Sequence, residues 1–228
     1  MNFKEVIVKY GYPVVSKNVS HYVKGAKNGA KSYLSLLNGT YKKPDGTKSN
    51  YCCENWKFLI DSPFKISDQC CDIIKKKTAH EYDKISGKHP IIATMAKESR
   101  QREAQWLNYG CNAFDKNNAS SQPMSFWTEQ DVLKYIKRNN LPYCNEIYGD
   151  IVEENGKLKM SNMQRTGCMF CMFGVHLEKE PNRFQQMAIT HPKQYNYCIK
   201  DVEDGELGLG KVLDYIGVNY KPIEEKEN

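Results

Sequence analysis

The sequence predicts a mostly helical chain with a few short strands, and three observations support this. Apolar residues recur at helical spacing in several segments, and residues that can cap a helix precede them. Glycine, proline and asparagine mark the turns between these segments. Strand signals are confined to short runs at 13–15, 90–95 and 150–160. No internal repeat or low-complexity tract divides the chain.

The N-terminal third is predicted to contain two helices and one strand. Apolar residues lie at helical spacing over 3–10, and residues 13–15 form a short apolar run. Ser16 is suited to cap a second helix, whose apolar face continues to Leu37. Residues 39–50 contain glycine, proline, aspartate and several lysines, so we expect an exposed loop there.

The middle of the chain is predicted to alternate between helix and strand. Ser67 is suited to cap a helix that carries two adjacent cysteines and ends by Gly87. Residues 90–95 form an apolar run that predicts a buried strand, and residues 98–109 follow as a helix. Residues 110–123 are expected to form a loop.

The C-terminal part shows one strong helix start and one hairpin. Thr128 with Asp131 three residues later predicts a capped helix. Asn155-Gly156 predicts the tight turn of a hairpin between residues 150–152 and 158–160. Three further helices are expected at 183–189, 194–199 and 211–216.

Composition and charge restrict the class of protein. The 228 residues are 40% hydrophobic and 26% charged, as in an ordinary globular protein. No run of 18 apolar residues predicts a membrane span, and the N-terminus lacks a signal-peptide core, so we expect a cytoplasmic protein. The net charge of +6 suits an anionic ligand such as a nucleotide and permits weak nucleic-acid contact.

The nine cysteines are the chemically most informative residues. Six of them form two adjacent pairs, Cys52-Cys53 and Cys70-Cys71, and one C-x-x-C at Cys168 and Cys171. In a reducing compartment such a set is more often metal-binding, catalytic or buried than disulfide-bonded. An adjacent pair with a C-x-x-C suits an iron–sulfur cluster better than zinc. Spacing alone leaves open which pair takes part, and buried free thiols are the alternative.

Several blocks of the sequence resemble one family in its own order. These are YPVVSKNV (12–19), DQCCDIIKKK (68–77), IIATMAKESRQR (91–102), PMSFWTEQDVLKYI (123–136) and GCMFCMFGVH (167–176). They resemble the iron–sulfur branch of phosphoadenosine/adenosine phosphosulfate (PAPS/APS) reductases, especially the reductase-like members carried by phages and mobile elements.

The resemblance implies an α/β fold of the adenine-nucleotide alpha hydrolase-like class (PP-loop or HUP fold), with an incomplete parallel sheet and many helices. Residues 1–122 would form a truncated nucleotide-hydrolase-like part. Residues 123–228 would form a helical part with the cysteine-rich site, and the two together one compact unit.

The resemblance also implies a cofactor. By position in the family pattern, Cys70, Cys71, Cys168 and Cys171 would bind a [4Fe-4S] cluster, with zinc as the runner-up. Cys52-Cys53 falls outside the pattern.

A substrate site is implied at the block after residue 90. Glu98, Ser99, Arg100 and Arg102 match the loop that the family places near its nucleotide substrate, while an ordinary helix start is the plainer reading. The common form G-x-R-x-x-E-S would put glycine at residue 93 and arginine at residue 95, where this chain has alanine and methionine. Lys17 and Arg165 are weaker candidates for the same anionic ligand.

Two family features have no counterpart in this sequence. These are the phosphate-binding S-G-G-x-D-S loop and a nucleophilic cysteine in the C-terminal tail, where the last cysteine is Cys198. Three hypotheses therefore stay open. The first is an iron–sulfur protein that binds an adenine nucleotide or sulfonucleotide, with sulfur transfer or reduction as its chemistry. The second is a mobile-element protein that binds and inhibits a host or defence protein, and the third is a zinc-stabilised nucleic-acid-binding module. An exposed sheet edge would also suit a homodimer or a protein partner.

Overall fold

The computed structural model describes residues 1–114, 119–164 and 167–223. They group into two compact units, the first formed by residues 1–79 and 169–228 and the second by residues 80–168. The predicted division at residue 123 stays a prediction. No helix in the described ranges is long and apolar enough to cross a bilayer.

The first helices confirm the local sequence signals. Helix α1 (Phe3–Tyr10) is followed by strand β1 (Val14–Val15), and Ser16 caps helix α2 (Lys17–Lys27) by accepting a hydrogen bond from the amide of Val19. The predicted long second helix is wrong. It breaks at residues 28–30, where Gly29 has φ +85°, and resumes as α3 (Lys31–Leu37).

The helix with the adjacent cysteines has an unusual backbone. It begins at Cys70, winds as a π-helix over Asp72–Lys77 and continues as α4 (Thr78–Ser86). Ser67 does not cap it directly, because its hydroxyl accepts the amide of Gln69 before the helix begins. A 3₁₀ helix, Glu54–Asp61, precedes this region.

A small parallel sheet lies in the core of the first unit. Strand β1 pairs with β6 (Met172–Phe173), with Val14 opposite Met172 and Val15 opposite Phe173. Helices α8 (Arg183–Thr190), α9 (Pro192–Ile199) and α10 (Leu209–Tyr215) confirm the three helices predicted there. The largest fully buried apolar side chains of this unit are Phe184, Leu37, Leu59, Met172, Leu207, Leu209 and Leu213.

The start of the second unit corrects two predictions. Residues 90–95 do not form a buried strand: only a parallel bridge joins Ile91 to Ser121, and the Ile91 side chain is 78% exposed. The expected loop after residue 110 contains two short antiparallel strands, β2 (Asn112–Ala113) and β3 (Ser120–Ser121). Helix α5 (Arg100–Tyr109) lies where the sequence placed it.

The rest of the second unit follows its sequence signals closely. Helix α6 (Glu129–Asn139) begins with the predicted capping box, and a short α7 (Asn145–Tyr148) follows. Strands β4 (Ile151–Glu154) and β5 (Lys157–Met160) form the predicted antiparallel hairpin. Residues 155 and 156 both have positive φ, as a tight hairpin turn requires.

Candidate functional site

The adjacent cysteines lie at the start of the helix that contains the π-helical segment. Cys70 is buried and Cys71 is half-buried, and neither is in a disulfide. Segments of π-helix are rare and occur frequently at functional sites. The predicted ligand pair thus lies directly before a backbone segment of a kind that often occurs at functional sites.

Helix α2 is tied to both sides of this cysteine pair by charged contacts. Lys17 Nζ lies 3.1 Å from the Asp72 carboxylate, and Lys24 Nζ lies 3.5 Å from that of Asp68. Lys76 lies 2.7 Å from Asp72 and, with Lys17, lowers the pKa of that carboxyl. Lys17, a predicted substrate residue, is therefore engaged in holding the cysteine helix against α2.

A histidine that the sequence analysis did not single out completes this contact. His21 Nδ1 lies 3.0 Å from Asp68 Oδ2, and its Nε2 lies 2.9 Å from the Tyr33 hydroxyl. Tyr33 fits there because of Gly25, since a Cβ on Gly25 would lie 2.0 Å from Cδ2 of the Tyr33 ring. The spacing of residues 17, 21 and 24 at i, i+4 and i+7 of one helix was the available signal.

The second cysteine of the C-x-x-C is held through its backbone. The carbonyl of Cys171 accepts a hydrogen bond of 3.0 Å from Nη1 of Arg183, whose Nε donates to Glu178 Oε1 at 2.7 Å. The next two residues form β6, and the amide of Gly174 donates to the carbonyl of Val15 at 2.8 Å. Sequence reasoning missed Arg183, because its partner is a backbone carbonyl twelve residues away.

The four predicted ligands have suitable chemistry for a cluster or zinc, because all four are cysteines outside any disulfide. Cys168 is exposed, Cys70 is buried and Cys71 and Cys171 are half-buried. Nowhere in the described ranges do three His, Cys, Asp or Glu side chains form a group that could hold a metal ion. The cluster and its ligand set stay predictions.

Burial makes Cys53 and Cys198 poorly suited to nucleophilic chemistry. Cys198 is fully buried in α9, and burial raises the pKa of its thiol to about 12. This confirms the expectation that Cys198 lacks both access and a lowered pKa. Burial also raises the pKa of Cys53, whose neighbour Cys52 donates weakly to the carbonyl of Tyr41 at 3.6 Å.

His176 lies just after the C-x-x-C and packs on an aromatic ring. Its imidazole meets the Trp56 ring edge-on, with centroids 5.0 Å apart. Burial lowers the pKa of His176, and its Nδ1 has no hydrogen-bond partner in the described part of the chain. The histidine is therefore neutral near pH 7 and part of an aromatic packing cluster.

The predicted substrate residues of the second unit lie at the start of α5. Ser99 caps this helix by accepting the amide of Arg102 at 3.3 Å, and Glu98 forms an ion pair with the Arg102 side chain. A polar cavity of about 490 Å³ is lined by Glu98, Ser99, Gln101, Arg102 and Gln105. Because the ion pair occupies the Arg102 guanidinium, it favours in part the interpretation of this segment as an ordinary helix N-terminus rather than a substrate site.

Arg100 is an exposed cation at the start of α5. It lies in the first turn of this helix and forms no ion pair within the described ranges. Arg165 lies outside the described residues. The structure thus brings Glu98, Ser99 and Arg102 together with Arg100 beside them, whereas Lys17 is committed to Asp72 in the first unit.

The fold and these sites define a mixed α/β protein with two cysteine pairs and a polar helix-start site. Residues 40–172 match the model of the phosphoadenosine phosphosulfate reductase domain family, which is more than half of the chain. The chain therefore belongs to this family. The family has the adenine-nucleotide alpha hydrolase-like fold, which confirms the predicted fold class.

Two curated relatives are similar to this chain over part of its length. The adenosine 5'-phosphosulfate reductase of Oceanobacillus iheyensis is 34% identical over 116 residues, which cover 49% of this chain and 44% of the relative. The enzyme of the same name from Lysinibacillus sphaericus is 36% identical over 77 residues, covering 33% and 31%. The chain thus spans less than half the length of either relative that it matches. No solved structure matches the chain.

Proposed function

We propose that this protein binds an adenine sulfonucleotide and takes part in sulfonucleotide reduction or sulfur transfer. The observation that carries the proposal is the family match over residues 40–172, because this range contains Glu98–Arg102 and both predicted cysteine pairs. The two relatives named as adenosine 5'-phosphosulfate reductases support the same substrate class.

The start of α5 offers the groups that an oxyanion needs. Ser99 occupies the amide of Arg102, so the amides of Arg100 and Gln101 are the ones left without a partner inside the helix. Unpaired amides at a helix N-terminus favour an anion. The guanidinium of Arg100 can add a charge-assisted hydrogen bond to a phosphate or sulfate oxygen. The polar cavity beside it is large enough for a nucleotide-sized group.

The cysteine pairs form the second half of the proposal. Cys70, Cys71, Cys168 and Cys171 would hold a [4Fe-4S] cluster, with zinc as the runner-up, because four thiolates are the ligand set of both. When bound, a cluster of this kind would supply electrostatic or redox chemistry. The support is the family pattern and the four cysteine side chains outside any disulfide, and we assign no reaction step to the cluster.

Calorimetric titration tests the nucleotide half directly. We would titrate the protein with adenosine phosphosulfate, its 3'-phosphorylated form and ATP, and repeat the titrations with Arg100→Ala. Loss of one charge-assisted hydrogen bond of about 1.5–3 kcal/mol should weaken binding roughly 10- to 100-fold. Lys88→Ala is the matched control, because Lys88 is also an exposed cation of this unit but lies outside α5. Absence of binding for all three nucleotides would refute this half of the proposal.

A further inference from the structure

Helix α6 presents a mixed aromatic and cationic face that the substrate proposal does not use. Residues 131, 134, 135 and 138 are spaced at i, i+3, i+4 and i+7, so they share one side of the helix, and all four are exposed. This side borders a cavity of about 550 Å³. The cavity is lined by Phe126, Trp127, Asp131, Lys134, Tyr135 and Arg138.

The aromatic rings of this groove are accessible rather than part of a core. Phe126 is 62% exposed and Tyr135 is 50% exposed. The Trp127 and Tyr135 rings meet edge-on, with centroids 5.4 Å apart and an interplanar angle of 73°. This contact fixes the orientation of the two rings while leaving ring surface open to solvent. Exposed aromatic faces of this kind are stacking surfaces for planar groups.

Two cations, Lys134 and Arg138, lie four residues apart on the same side of α6 as Tyr135. Lys134 and Arg138 form no salt bridge with any described residue, and Lys134 has only a longer-range interaction with Asp131. The Asp131 carboxylate is already used in the capping box, where it accepts from the amide and the hydroxyl of Thr128 at 2.8 and 2.7 Å. Both cations are therefore available to an anionic ligand.

The opposite side of α6 is anchored, so the groove is a stable surface. Leu133 is buried there, and the Gln130 side chain exchanges two hydrogen bonds with the backbone of Leu158 in the hairpin, at 2.7 and 2.9 Å. These contacts fix which side of α6 faces outwards.

We propose that this groove binds single-stranded nucleic acid. Bases would stack on Phe126, Trp127 and Tyr135, and phosphates would contact Lys134 and Arg138. Aromatic rings interleaved with cations are the arrangement by which proteins bind single strands without base-specific contacts. The helical part of the groove, residues 131 to 138, spans roughly 10 Å along the axis of α6, which is room for a short stretch of a single strand. In a duplex the bases are stacked on each other and have no free face for the aromatic side chains. The aromatic rings together with the two cations therefore favour a single strand.

Fluorescence anisotropy with a labelled fifteen-nucleotide oligothymidine tests the proposal at low salt. Tyr135→Ala should weaken binding by about 5- to 100-fold, the range for loss of one stacked base, whereas Tyr135→Phe should retain most of the affinity. Lys134→Ala with Arg138→Ala should lower the slope of log affinity against log salt by about 1.4, the value for two phosphate contacts of a single strand.

Matched controls separate the groove from general surface effects. Tyr82→Ala removes another exposed aromatic ring of the same unit, and Lys137→Ala removes a cation of α6 that does not line the groove; both should bind like the unchanged protein. A duplex of the same length should bind more weakly than the single strand. The proposal is overturned if the oligonucleotide does not bind, if the groove variants bind like the controls, or if adenosine monophosphate displaces it at micromolar concentration. The last result would indicate a mononucleotide site instead.

Discussion

Ser20 holds the strand that supports the C-x-x-C segment, and its replacement gives a sharp test of the structure. The side chain is fully buried, and its hydroxyl donates to the carbonyl of Val14 at 2.8 Å while accepting from the amide of Val14 at 3.0 Å. Val14 is also fully buried and pairs with Met172, the residue that follows Cys171. The Ser20 hydroxyl thus provides the hydrogen-bond partner for both the N–H and the C=O of Val14, the first residue of β1.

The expected loss in Ser20→Ala follows from these two hydrogen bonds. Serine and alanine differ little in volume, so the variant leaves almost no cavity but leaves two buried backbone groups without a partner. Each such group costs about 1–3 kcal/mol, so the free energy of unfolding should fall by about 2–6 kcal/mol. With a urea dependence of about 2 kcal/mol per molar, the unfolding midpoint should shift down by about 1–3 M.

Urea unfolding followed by circular dichroism measures this shift. Ser35→Ala is the matched control, because the Ser35 hydroxyl donates to a backbone carbonyl of its own exposed helix at 3.0 Å. The control should change the free energy of unfolding by less than about 0.5 kcal/mol. If Ser20→Ala loses no more than the control, the assignment of Ser20 as the support of β1 is refuted.

Three further predictions follow from single side chains. Gly25→Ala should destabilise the protein by about 1–3 kcal/mol in urea unfolding, because the new methyl group would collide with the Tyr33 ring. Without this collision, alanine would favour the helix over glycine. Unchanged or raised stability would contradict this packing. Cys198→Ala should leave unchanged the number of thiols that react with a disulfide reagent at pH 8 in the native state, because the Cys198 thiol is buried with a pKa of about 12. In urea the variant should show one reactive thiol fewer than the unchanged protein. A loss of one reactive thiol in the native state would contradict the burial of Cys198. Burial lowers the pKa of His176, so the unfolded chain takes up its proton more readily, and stability should fall as the pH drops through about 6.5. His176→Phe, which keeps a ring against Trp56, should show a smaller fall between pH 7 and 5.5, and equal falls would count against the assignment.

The features that could be predicted from the sequence are those with local causes. The capping box at Thr128 and Asp131 and the hairpin turn at Asn155-Gly156 each depend on neighbouring residues, and both are confirmed. The break between α2 and α3 was missed, because the apolar spacing continues across Gly29 while the backbone turns there. Residues 90–95 were misassigned because an apolar run alone does not show whether a strand finds partners to bury it.

The candidate site shows the same limit more clearly. The two cysteine pairs and the segment Glu98–Arg102 were singled out from their motifs, and their roles stay predictions. The contacts of His21 with Asp68 and of Arg183 with Cys171 were not, because they join residues distant in sequence and, for Arg183, a backbone carbonyl. The π-helical winding after Cys71 also has no recognised sequence signal and depends on tertiary contacts.

Metal analysis of the protein purified without oxygen tests the central proposal most directly. We would record the visible spectrum with the iron, sulfide and zinc content, for the unchanged chain, for Cys168→Ser, and for Cys52→Ser as a control outside the proposed ligand set. We expect a broad brown absorbance with about four irons and four sulfides per chain. Both the absorbance and the iron and sulfide should be lost in Cys168→Ser and kept in Cys52→Ser. We also expect a lower melting temperature for Cys168→Ser, since ligand loss removes folding free energy. Zinc, no metal, or a cluster that persists in Cys168→Ser would contradict the proposed cluster on Cys70, Cys71, Cys168 and Cys171.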